Sequence, residues 1–215
     1  INFGIREHAM AGITNGLRAY CGFIPYVATF LVFMGYMFGS ARLSPLSKFQ
    51  VLYIMTHDLI GLGEDGPTHQ SVEVISLIRS TPNFYLIRPA DGNEVSGAYL
   101  FALTQPKSSS VIALSRQNLP QLKGTDKEKC LKGGYILQQT DSSKSPDIIL
   151  IGTGSELSIA VETKTLLEKE GKNVRVVSMP CTKLFDKQSV SYRTSVLCGK
   201  DGESVTTLSI EAGVA

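Results

Sequence analysis

Residues 51–70 read Val-Leu-Tyr-Ile-Met-Thr-His-Asp-Leu-Ile-Gly-Leu-Gly-Glu-Asp-Gly-Pro-Thr-His-Gln. Residues 51–56 form an unbroken, largely apolar run, the pattern of a strand buried on both faces. Glycines 61, 63 and 66 then break the chain, allowing tight turns and a close backbone approach to a ligand. Residues 70–79 follow with Val72, Ile75 and Ile78 on one side of a helix. A buried strand, a glycine-broken loop and an amphipathic helix make a unit of the kind that builds a parallel sheet covered by helices.

The same alternation extends in both directions. Upstream, residues 7–20 read as a helix closed by Gly22, residues 24–29 as a strand, and residues 31–43 as a helix ended by Pro45. Residues 23–39 are mostly apolar and near the lower length limit of a membrane span. Pro25 and Thr29 interrupt them, however, so a buried strand and helix are expected and no membrane partner. Downstream, residues 84–88 read as a strand, and Asp91 and Glu94 are spaced like a capping box opening a helix through Thr104. Residues 111–115 form the next strand. Composition shifts to Lys, Asp, Ser, Gly and Gln between residues 123 and 146, a linker with one short strand at 135–138. A second unit starts at Asp147. It has strands at 148–151, 174–177 and 205–210, a turn at 152–154, and a helix from the N-cap Ser155 through Lys169.

The expected fold is therefore α/β: a mostly parallel sheet flanked by helices over residues 1–125, a linker over 126–146, and a second, incomplete α/β domain over 147–215. A formal charge of +2 and no clustered Lys/Arg run argue against a nucleic-acid partner. The four cysteines are widely spaced and include no Cys-x-x-Cys pair. Reduced thiols in a cytoplasmic compartment are expected. The start shows no signal-peptide pattern. Both ends read as cut, and a fragment of a larger protein is expected.

Chemistry-bearing residues are few. Of three histidines, His57 and His69 flank the loop that carries Glu64 and Asp65. This loop leaves the end of a buried strand, where open α/β sheets bind ligands. A hydrogen-bonded turn is the alternative reading of the same pattern. The histidines match no familiar zinc spacing, and no metal ligand is expected among them. Glu7 opens a helix, where an acid is favoured by the dipole alone. Phe30, Phe33 and Tyr36 recur every third residue, as a core stripe or as a wall for a flat heterocycle. Arg116 follows a strand, where its rigid fork suits a phosphate, a carboxylate or a surface ion pair.

These signals coincide with the order and spacing of motifs in transketolase, which the chain resembles along essentially its whole length. The motifs are residues 4–10 (Gly-Ile-Arg-Glu-His-Ala-Met), 56–58 (Thr-His-Asp), 63–70 (Gly-Glu-Asp-Gly-Pro-Thr-His-Gln), 88–94 (Arg-Pro-Ala-Asp-Gly-Asn-Glu), 114–120 (Leu-Ser-Arg-Gln-Asn-Leu-Pro) and 152–156 (Gly-Thr-Gly-Ser-Glu). The resemblance implies most of a pyrimidine-binding domain of the thiamine diphosphate-binding fold, followed by the start of a transketolase C-terminal domain. It implies transfer of a two-carbon ketol unit from a ketose phosphate to an aldose phosphate. Dihydroxyacetone synthase shares much of the motif set and is the alternative; deoxyxylulose-phosphate synthase and the decarboxylating dehydrogenases carry different versions of the 63–70 loop. A non-catalytic module of the same fold is the different-class alternative.

By this resemblance Glu7 matches the glutamate that activates the cofactor, a buried carboxyl hydrogen-bonding a ring nitrogen of the aminopyrimidine. Phe30, Phe33 and Tyr36 match the aromatic pocket around that ring. His57 and His69 match histidines of the substrate channel, Asp65 the aspartate that reads a substrate hydroxyl, and Arg116 the arginine that holds the sugar phosphate. Val27-Ala28 stands where small glycines are usual, a departure expected to tighten the cofactor pocket. The family's Gly-Asp-Gly motif with a downstream Asn, which grips the diphosphate and a divalent metal (Mg2+ or Ca2+), has no counterpart in context. Glu-Asp-Gly at 64–66 and Lys-Asp-Gly at 200–202 lie elsewhere. The resemblance implies a homodimer in the full-length protein and an inactive fragment.

Overall fold

The computed structural model describes residues 1–214. In chain order it begins with α1 (Glu7–Ala19), β1 (Tyr26–Phe30), a 3-10 turn, α2 (Met34–Ala41), α3 (Leu43–Leu46) and β2 (Leu52–Thr56). Two 3-10 turns lead to α4 (Val72–Ser80), β3 (Phe84–Ile87), α5 (Gly92–Thr104) and β4 (Ser109–Ala113). After these come α6 (Lys127–Cys130), β5 (Tyr135–Gln139), β6 (Ile148–Gly152), α7 (Glu156–Lys169), β7 (Val174–Ser178), α8 (Thr182–Phe185), α9 (Val190–Leu197) and β8 (Thr206–Ile210). The chain divides into two compact units, one chiefly Ile1–Ile87 with Ala98–Asn118, the other Arg88–Gly97 with Leu119–Glu211.

In the first unit the strands run in the order β1-β2-β4-β3, every pairing parallel. The central strands β2 and β4 are buried almost throughout, as an apolar run covered on both faces requires. Met10 of α1, Leu31, Met34 and Met37 of the following segment and Val74, Ile75 and Ile78 of α4 pack with Tyr53, Met55 and Val111 of the sheet. The buried Tyr53 hydroxyl is satisfied by Ser44 Oγ at 2.6 Å. Because the strands are parallel, Phe30, Thr56 and Ala113 end at the same edge of the sheet, and the loops that follow β2 and β4 emerge there.

Local details depart from the sequence reading. Residues 31–43 are not one helix: Phe30 is still extended (φ −71°, ψ 147°), Leu31–Phe33 form a 3-10 turn, and α2 begins at Met34. The helix expected from residue 70 starts at Val72, because Pro67–His69 form their own 3-10 turn first. Among the described residues no helix is long and apolar enough to cross a membrane.

The second unit has the strand order β5-β7-β6-β8, with β5 antiparallel to β7 and the other pairings parallel. The short strand expected at 135–138 is thus an edge of this second sheet. Three short helices (α6, α8 and α9) had no sequence signal. Asp126 caps α6 by accepting from the Glu128 and Lys129 amides, whereas α9 is dominated by Ser, Thr, Tyr and Arg and lacks a clear apolar stripe. Ser155, the expected cap of α7, makes no capping bond and instead donates to Glu156 Oε1 at 2.7 Å. Glu156 is held there by Arg88, which is fully buried and bonds Glu156 at 2.9 Å and Glu211 at 2.8 Å. Buried charges of this sort need such paired partners.

Asp91 and Glu94 open α5 broadly as their spacing predicts. Asp91 Oδ1 accepts from the Glu94 amide at 3.1 Å, but Glu94 reaches back to the Ala90 amide at 2.8 Å, one residue beyond a regular capping box. Glu94 also accepts from Tyr135 Oη at 2.7 Å and Ser178 Oγ at 2.5 Å, so one carboxyl joins α5, β5 and β7. Burial pushes this carboxyl above its ordinary range, against the three hydrogen bonds that lower it.

Candidate active site

The carboxyl edge of the first sheet gathers most of the residues singled out above. Phe30 ends β1, and His57 is the first residue beyond β2. His57 takes a left-handed backbone conformation (φ 60°), uncommon for a residue with a side chain. Its imidazole lies on Phe30 with ring centroids 3.6 Å apart and planes 20° apart. Phe33 stacks parallel to Phe30 at 5.6 Å, and His69 meets both rings edge-on, at 6.2 Å from Phe30 and 5.6 Å from Phe33. Tyr36 touches Phe33 at 5.9 Å but is otherwise exposed. The aromatic stripe is therefore not core: it forms the half-buried wall of a site shared with two imidazoles.

Threonines next to each imidazole bond it. Thr56 Oγ1 and His57 Nδ1 are 2.9 Å apart, as are Thr68 Oγ1 and His69 Nδ1. With Nδ1 engaged, His57 turns Nε2 toward Asp65 Oδ2, 3.8 Å away. Gly63 (φ 69°) and Gly66 (φ 70°) take the left-handed conformations that bend the loop around Asp65. Arg116 reaches the same loop, with Nε 3.7 Å from Asp65 and Nη2 3.2 Å from Glu64. Glu64 is 85% exposed, so its pairing with Arg116 contributes at most about 1 kcal/mol and releases the guanidinium readily to another anion. Glu64 and the two threonines carry little signal in the sequence; adjacency to His57 and His69 is the only one for the threonines.

Glu7 stands apart from this cluster. It lines a cleft of about 390 Å³ with Tyr26, Ala28 and Thr29 of β1, one residue short of Phe30. The side chain is half-buried rather than buried, because α1 starts at the rim of the cleft and the preceding residues 4–6 are exposed. Val27 packs into the core with Met10 and Leu31, while Ala28 lies with Tyr26 on the exposed face of the strand; both Val27 and Ala28 line the cleft. Among the described residues no group of three or more His, Cys, Asp or Glu is placed to hold a metal ion.

Residues 1–121 match the transketolase pyrimidine-binding domain, and residues 133–215 match the transketolase-like C-terminal domain. The chain belongs to the transketolase family. It is 55% identical to a chloroplastic transketolase of Solanum tuberosum over 99% of its own length and 28% of that protein's. It superimposes on transketolase from Leishmania mexicana with a TM-score of 0.93 at 45% identity, covering 100% of this chain and 31% of the other. The Pichia stipitis transketolase solved in complex with sedoheptulose 7-phosphate gives a TM-score of 0.91 at 48% identity, covering 98% of this chain and 30% of that one. The chain thus spans less than a third of the length of these relatives.

The cytoplasmic placement expected from the cysteines is overturned. Similar proteins from Solanum tuberosum, Arabidopsis thaliana, Craterostigma plantagineum, Zea mays and Spinacia oleracea are chloroplastic transketolases. The four cysteines are free. Free thiols report a reducing environment, and that does not separate one reducing compartment from another.

Proposed function

We propose that the protein is a thiamine diphosphate-dependent transketolase, moving a two-carbon ketol unit from a ketose phosphate to an aldose phosphate. The observation that carries this reading is the convergence of His57, His69, Asp65 and Arg116 beside the Phe30–Phe33 pair at one edge of the sheet. The residues fit the aminopyrimidine of the cofactor. A carboxyl at the rim of a cleft leads through Thr29 to a flat aromatic face, offering a hydrogen bond and an apolar surface to one heterocycle. When bound, the cofactor supplies a nucleophilic carbon for a ketose carbonyl.

In this reading Glu7 hydrogen-bonds a ring nitrogen of the aminopyrimidine, and Phe30, Phe33 and Tyr36 flank the ring. His57 and His69 hydrogen-bond substrate hydroxyls and carry protons. Asp65 reads the hydroxyl beside the carbonyl, since the wrong epimer would leave a charged acceptor unpaired. Arg116 exchanges Glu64 for the phosphate of the sugar. The pyrimidine-binding domain occupies residues 1–125, and residues 147–215 begin the C-terminal domain. The diphosphate and its divalent metal, Mg2+ or Ca2+, are held by residues outside these 215. The complete protein is a homodimer, and this segment alone is inactive.

The test is an assay of the complete protein with xylulose 5-phosphate as donor and either ribose 5-phosphate or formaldehyde as acceptor. Transfer to ribose 5-phosphate is expected, with formaldehyde a poor acceptor. A preference for formaldehyde would instead identify a dihydroxyacetone synthase.

A further inference from the structure

The first unit carries a second cavity, of about 560 Å³, that the proposed reaction does not use; Arg42, Lys48 and Lys107 line it. Lys48 precedes β2 and Lys107 precedes β4, while Asn83 of the same cavity immediately precedes β3. These three strands are parallel, so the cavity lies at their amino ends. His57 and Arg116 follow the carboxyl ends of β2 and β4, on the order of 16 Å away along a five-residue strand. The two sites are therefore separate.

Three cations line the cavity, and among the described residues no carboxylate does. None of the three forms an ion pair among the described residues. Elsewhere opposite charges nearly cancel, since the whole chain carries only +2. Converging like charges repel one another, and an anion between them relieves that repulsion.

The walls are held in place. Asn83 Nδ2 donates to the Pro45 carbonyl at 3.0 Å and to the Lys107 carbonyl at 2.9 Å, tying α3 to the segment before β4. Lys48 (φ 57°) and Asn83 (φ 57°) are two of the five non-glycine residues in left-handed conformation among the described residues. The Lys48 amide donates to Pro45 O at 3.2 Å, in the turn that ends α3, a position where glycine is the usual occupant. A lysine that lines the cavity thus occupies a strained backbone position. Pro45, Leu46 and Pro82 add an apolar shelf.

We propose that this cavity binds a small anion bearing more than one phosphate, as in a diphosphate or a bisphosphorylated metabolite. Three cations carried by two separate chain segments, one around α3 and one before β4, suit charges spread over two phosphate groups better than a single carboxylate. The site is independent of the transketolase reading.

The experiment is calorimetric titration of the complete protein with inorganic pyrophosphate at ~0.15 M salt, where weak surface attraction is screened. The protein is loaded with thiamine diphosphate and the excess is removed, which blocks the cofactor site without filling the cavity with another diphosphate. One saturable site per chain is expected, weakened at least about tenfold by combined Lys48→Gly and Lys107→Ala, the scale of losing charge-assisted contacts. Lys48→Gly removes the charge and the strain together, so the thermal midpoint of that variant should not fall. Arg116→Ala should leave pyrophosphate binding unchanged. No saturable binding, an isotherm unaltered in the Lys48→Gly, Lys107→Ala protein, or binding lost on Arg116→Ala would each overturn the proposal.

Discussion

His57 shows how much of a site a single residue type conceals. The sequence supplies an imidazole at the end of a strand; it does not supply the left-handed backbone that turns the ring onto Phe30. The carbonyl of His57 accepts from Ser71 Oγ at 3.4 Å, a partner fourteen residues further along the chain. The roles of Asp65 and Arg116 were legible only through the ordered transketolase-like motifs, because an acid in a glycine loop reads equally as a turn residue and an arginine after a strand as a surface ion pair. The Glu64 partner of Arg116 was not, because contacts between residues far apart in sequence follow from strand order, which no single motif encodes. Removing the guanidinium tests its role. Arg116→Ala in the complete protein is expected to raise the apparent KM for phosphorylated sugars about tenfold or more, with kcat less affected, the loss of one charged hydrogen bond. An unchanged KM in steady-state kinetics removes Arg116 from phosphate binding.

Among elements, the long apolar strands and the helices with caps or stops were readable, and the short polar ones were not. β2 is an unbroken, largely apolar run, and α1 and α7 are helices of 13 and 14 residues with stop or cap signals. The four-residue helices α6 and α8 are too short to show any, and α9 is patterned by its contacts: Tyr192 Oη bonds the Gly134 carbonyl at 3.0 Å. The aromatic trio has helical spacing, yet it runs from a strand end through a 3-10 turn into α2, since strand pairing keeps Phe30 extended beside Thr56. Glu94 bonds Tyr135 of β5 and Ser178 of β7 and carries a pH signature. Its folded-state pKa lies above the ordinary 4.5, chiefly through burial. The folded protein therefore holds this proton more tightly than the unfolded chain. The resulting stability is fully present below pH 4.5 and is lost as pH rises through the raised folded-state value. Glu94→Gln should flatten that part of the thermal-midpoint profile above pH 4.5; a profile identical to wild type shows that Glu94 does not titrate in this way.

For the whole molecule, the parallel first sheet and the family were both within reach of the sequence, because several ordered motifs constrain each other more than any one does alone. The placing of residues 88–97 with the second unit was not, for it rests on Arg88 bonding Glu156 and Glu211 from across that unit. Compartment was misread, because cysteine usage reports redox state and nothing more. The central claim is that Glu7, a half-buried acid at the start of a helix, activates thiamine diphosphate in the complete protein. Glu7→Ala is its most direct test, measured as turnover of xylulose 5-phosphate with ribose 5-phosphate at saturating cofactor. Activity should fall at least ~100-fold, the scale of lost acid–base assistance, with the thermal midpoint little changed. Turnover near the wild-type rate would contradict the account.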